Sequence, residues 1–124
     1  MKSDGRRYPR YETDLPLEIH TTGDGAFTGR IRNLSLGGIE FSCDRWTADE
    51  LLPPGHQAFP GQPIEVQVWF PLSPHGPETR IEAHGEIVVS RRLSQNEYRV
   101  GMQFVTLEGD AQKALEQHLR GRTL

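Results

Sequence analysis

The sequence is short of the residues that most chemistries require. It has one cysteine, Cys43, so no internal disulfide and no thiolate cluster can form. That thiol falls in phase with Ile39 and Phe41 and reads as a small buried hydrophobe rather than a reactive group. The histidines are His20, His56, His75, His84 and His118. None pair at metal-ligand spacing, and with no cysteine partners a metal site is not expected. Ser35 lies in Asn-Leu-Ser-Leu-Gly rather than a Gly-x-Ser-x-Gly elbow, and there is no Gly-x-x-x-x-Gly-Lys loop. An enzyme is therefore not expected. No apolar run approaches the roughly 20 residues of a membrane span. The N-terminal segment is basic and polar rather than an apolar leader, so a soluble cytoplasmic protein is expected. A net positive charge is also missing. Fourteen Lys and Arg stand against 17 Asp and Glu, a net charge of −3, which argues against a DNA or RNA binder.

What positive charge there is comes in clusters: Arg6, Arg7 and Arg10, then Arg30 and Arg32, then Arg91 and Arg92. Local basicity within an acidic chain points to a small anionic ligand rather than a long polyanion. The 124 residues suit one domain with one modest core.

Alternation of apolar and polar residues marks six strands. Leu15, Leu17 and Ile19 define the first, where Pro16 suggests an edge or a strand start. Phe27, Gly29 and Ile31 define the second, after a turn at Thr21–Gly25, and Ile39, Phe41 and Cys43 the third. Ile64, Val66, Val68 and Phe70 define the fourth. Ile81–Val89 is the fifth, with Gly85 suggesting a bulge, and Tyr98, Val100, Met102 and Phe104 define the sixth. Residues 71–77 read as a hairpin loop and Arg91–Asn96 as a turn. Short strands at this spacing favour a small barrel or sandwich.

Asp44–Leu52 suits a turn or two of helix, and the prolines and glycines of 53–63 stop anything longer. The 44–63 segment reads as an interaction surface or as a solvated crossover anchored by Trp46 and Phe59. Trp69, out of phase with its neighbours, is exposed or packed under a helix. Ala111, Ala114, Leu115, His118 and Leu119 form one face of an amphipathic helix over 109–121, capped by Asp110 and Gly121 and expected to cover one opening of the barrel.

Two motifs stand out. Arg6-x-x-x-Arg10 lies on a basic arm, residues 1–11, expected to be flexible. Asn33-x-Ser35-x-x-Gly38 lies in a polar turn containing Gly37 and Gly38. Together, in this order, and followed by Gly85–Arg91 and Tyr98–Phe104, they resemble the paired signature and later strands of the PilZ domain family. The resemblance spans roughly residues 6–106. It implies an all-β fold, a six-stranded antiparallel Greek-key-like β-barrel over 12–106 with a C-terminal α-helix. It also implies a receptor for the bacterial second messenger cyclic di-GMP, acting without a cofactor.

By the same resemblance, Arg6 and Arg10 bracket the ligand's guanines and phosphates, Arg7 adds a contact, Asn33 and Ser35 bond a guanine edge, and Gly37 and Gly38 leave room for it. Arg32 and Arg91 are secondary candidates. The ligand chemistry agrees, because a guanidinium fork matches both the O6/N7 edge of guanine and a phosphate, and its flat face stacks on a base. Micromolar binding needs about 8 kcal/mol, and charged hydrogen bonds give about 1.5 to 3 kcal/mol each.

The expected output is an arm that clamps over the ligand and signals to a downstream protein, in a monomer or weak dimer. The alternatives are a PilZ-like scaffold that binds a partner but no nucleotide, and a small enzyme or single-stranded RNA binder on an OB-like barrel. The latter would want exposed strand-face aromatics, for which only Trp69 is a candidate. One bound nucleotide and a stacked pair are both open.

Overall fold

The computed structural model describes residues 8–23, 25–52, 64–72 and 80–120. Six strands, β1 (Tyr11–Thr21), β2 (Ala26–Leu34), β3 (Gly38–Cys43), β4 (Ile64–Pro71), β5 (Arg80–Ser94) and β6 (Glu97–Leu107), are joined by α1 (Arg45–Leu51) and followed by α2 (Ala111–Arg120). The strands close into an antiparallel barrel in the order β1-β2-β3-β6-β5-β4. The β3-to-β4 connection joins strands that are not neighbours, the long return of a Greek-key arrangement.

The alternating residues meet inside. Leu15, Leu17, Ile19, Ile31, Phe41, Val66, Val68, Phe70, Ile81 and Val100 are almost wholly removed from water. Each such side chain contributes about 1.5–3 kcal/mol by leaving water. Cys43 is buried with them, and burial, with Asp44 beside it, pushes its thiol up to about 11. The Asp44 carboxylate caps α1 by accepting from the Thr47 backbone N–H at 2.8 Å. Gly109, in the left-handed region at φ 56°, turns the chain out of β6. Asp110 then accepts at its carbonyl from Ala114 N–H, and α2 buries Ala111, Leu115 and Leu119 on the side that packs against β5.

Some boundaries differ from the sequence expectation. β5 runs on through Ser94, so the turn is confined to Gln95 and Asn96 rather than Arg91–Asn96. Ser90–Arg92 keep pairing with Arg99, Val100 and Tyr98, and register shifts between Ile87 and Val89 and between Arg92 and Ser94 break the alternation that would have marked a strand. A further shift falls at Gly85, as expected. Pro16 pairs with Arg30 of β2 but precedes the β1–β4 ladder, which begins at Glu18, so its missing N–H costs no bond there. Trp46 is 63% exposed and rests against Phe27 of β2. Trp69 is half-buried and edge-on to His20 across the β1–β4 ladder. Tyr11, expected in the arm, begins β1. Phe59, Gly121 and most of the 71–77 loop lie outside the described residues. No helix among the described residues is long and apolar enough to cross a membrane.

Candidate functional site

The β2–β3 connection forms one wall of a cleft of about 520 Å³, within the size range of small-molecule sites. The chain turns tightly at Ser35–Gly37. Ser35 N–H donates to the Gly38 carbonyl at 3.0 Å, and Ser35 Oγ accepts from the Gly37 and Gly38 N–H groups at 3.1 and 3.2 Å. The Ser35 hydroxyl therefore organises the turn as well as lining the cleft. The turn is hooked to β6 by Phe104 N–H donating to the Gly37 carbonyl at 2.9 Å.

A bulge in β2 decides which way Asn33 faces. Ile31 is opposite Phe41, but Asn33 is opposite Glu40, so Arg32 is the extra residue. Ile31 and Leu34 both point into the core, and Asn33 is left on the outer face. There Asn33 Nδ2 donates to Glu40 Oε1 at 2.7 Å, and Glu40 also accepts from Arg99 Nη1 at 3.4 Å.

Tyr8 and Arg10, at the end of the arm, line the same cleft. Arg10 is exposed and forms no ion pair among the described residues. On the far side, the β5 bulge turns the consecutive residues Val88 and Val89 outward, about half exposed, as an aliphatic edge of the cleft.

Of the residues named from sequence, Arg10, Asn33, Ser35, Gly37 and Gly38 meet in this cleft. Arg6 and Arg7 lie outside the described residues. Arg32 is not among the lining residues. Its guanidinium donates to Ser42 Oγ at 3.0 Å and approaches Asp14 at 3.5 Å. Arg91 lies beyond the cleft on the exposed β5–β6 ladder. The glycines answer first to the protein itself. A β-carbon on Gly38 would come within 2.1 Å of the Met102 carbonyl oxygen, and one on Gly37 within 2.9 Å of Tyr8 Cδ2.

Glu40, Tyr8, Val88, Val89 and Gln103 also line the cleft, and sequence reasoning did not single them out. Glu40 was accessible in principle as the outward residue of β3, but its pairing with Asn33 depends on the bulge. Among the described residues no cluster of His, Cys, Asp and Glu could hold a metal ion.

The family model of the PilZ domain matches residues 4–121. The chain belongs to the PilZ domain family. Solved structures agree on the fold. MrkH of K. pneumonia, in complex with c-di-GMP, superimposes with a TM-score of 0.70 at 16% identity over 97% of this chain and 53% of its own. The PilZ domain of YcgR from Escherichia coli, with c-di-GMP, gives 0.60 at 14% over 96% and 97%. The Bacillus subtilis inhibitor of motility MotI/DgrA gives 0.66 at 17% over 97% and 52%. This PilZ domain thus spans about half the length of MrkH and MotI/DgrA. No curated protein sequence matches it.

Proposed function

We propose that this PilZ domain is a receptor for cyclic di-GMP that signals to a protein partner through its N-terminal arm. The observation that carries this is the convergence of Arg10 with Asn33, Ser35, Gly37 and Gly38 on one cleft, although the arm and the turn are more than 20 residues apart in sequence. MrkH and YcgR structures hold c-di-GMP, which supports the same ligand here.

In this reading Arg10 supplies an open guanidinium fork for a phosphate or a guanine edge. Arg6 and Arg7, on the same arm, add charge and further forks. The Asn33 amide meets a guanine edge. The Ser35 turn presents a rigid polar wall, and Val88 and Val89 give a base an apolar edge to lie against. Binding draws the arm ahead of β1, residues 1–10, over the cleft and changes the surface offered to a partner, an order–disorder type of switch. Hydrogen exchange of residues 1–12 tests the clamp. Protection that rises with cyclic di-GMP supports it, and protection indifferent to ligand contradicts it.

A further inference from the structure

We propose that Glu40, held by Arg99, is a positioning residue that sets which end of the Asn33 amide the ligand meets, and so makes the cleft select a base edge that donates hydrogen bonds. The inference rests on the receptor reading above and adds to it a basis for base specificity.

Asn33 and Glu40 face each other directly across the β2–β3 ladder. Their contact, Nδ2 to Oε1 at 2.7 Å, can be made in one amide orientation only. A carboxylate accepts and cannot donate, and the flipped amide would set two oxygens against each other. Glu40 cannot easily swing away. Its side chain is only 17% exposed, and Arg99, on the neighbouring strand β6, holds the same Oε1. Arg99 is itself flanked by a second carboxylate, Glu97, at 3.7 Å. The residue opposite Glu40 on β6 is Gly101, which puts no side chain over that flank. Asn33 and Glu40 both line the cleft.

With Nδ2 committed to Glu40, Asn33 Oδ1 accepts nothing among the described residues. The amide oxygen is thereby left to the ligand as an acceptor, while the second Nδ2–H can still donate. A fixed acceptor suits the N2–H₂ donor beside N1–H of guanine. It suits adenine poorly, because adenine has no donor at C2 and its N1 is an acceptor. Hypoxanthine, which keeps N1–H and lacks the amino group, falls between.

The test is calorimetric titration of cyclic di-GMP, cyclic di-IMP and cyclic di-AMP into the wild-type domain, Glu40→Gln, Asn33→Ala and the double variant, with a thermal melt of each. Glu40→Gln is nearly isosteric but its side-chain amide can donate, so Asn33 is no longer held in one orientation. The expected result is about a tenfold loss of cyclic di-GMP affinity with a smaller loss for cyclic di-IMP, so the preference between the two narrows. In the Asn33→Ala background the Glu40→Gln effect should largely vanish. A general destabilisation would instead weaken both ligands alike. Wild-type binding with an unchanged preference in Glu40→Gln overturns this inference alone. No wild-type binding overturns the receptor reading and this inference with it.

Discussion

The ring of Tyr8 lies on Gly37 so closely that a β-carbon there would sit 2.9 Å from Cδ2 and 3.4 Å from Cε2. This contact ties the arm to the β2–β3 turn at the edge of the cleft, and it can be tested against its neighbour. Tyr8 is 43% exposed and has room to swing aside, so Gly37→Ala should change stability by less than about 1 kcal/mol. A β-carbon on Gly38 meets backbone instead, the Met102 carbonyl at 2.1 Å and Gln103 Cα at 3.1 Å. Gly38→Ala should therefore cost about 3 kcal/mol. Urea melts of the two variants decide this, and comparable losses would contradict it. Gly37→Ala should also weaken ligand binding, because the seat of the arm is lost while the barrel stands.

Asp44 should matter for stability and for its pH dependence. Its carboxylate accepts from the Thr47 N–H, and that hydrogen bond holds it below the ordinary 3.8. A group whose folded value is lowered adds stability that is fully present above its unfolded value and is lost as pH falls through the folded one. Asp44→Ala should thus cost about 1 kcal/mol at pH 7. The gap between wild type and variant should shrink once the pH drops below the ordinary aspartate range. Denaturant melts at neutral and acid pH check both statements, and a gap that persists in acid would assign the loss to something other than the charged cap.

Cys43 should be chemically silent while the domain is folded. Its thiol is buried and pushed up to about 11, so almost no thiolate exists at pH 8. A disulfide-exchange reagent should label it slowly in buffer and fast in denaturant. Rapid labelling of the folded protein would show that β3 opens locally.

The barrel was legible in the sequence where burial enforces a period of two. Leu15–Ile19, Ile39–Cys43 and Val66–Phe70 alternate because one face of each strand is in the core. Legibility failed at the bulges. The Arg91–Ser94 run lies where the β5–β6 register slips, so a paired strand looked like a turn. The same physics hid Glu40. Simple alternation from Ile31 would send Asn33 into the core, and the extra residue Arg32 is what brings it outward, opposite Glu40. The convergence of Arg10 with Asn33 and Ser35 cannot be read from local pattern at all. It followed from the resemblance of two separate motifs to a known pair.

The most direct measurement is a calorimetric titration of cyclic di-GMP into the wild-type domain, Arg10→Ala and Arg32→Ala. Arg10 lines the cleft with an open guanidinium, whereas Arg32 is occupied by Ser42 and Asp14. The account predicts saturable wild-type binding, a loss of about tenfold or more in Arg10→Ala, and little change in Arg32→Ala. An absence of heat at high-micromolar ligand, or equal losses in the two variants, would contradict it.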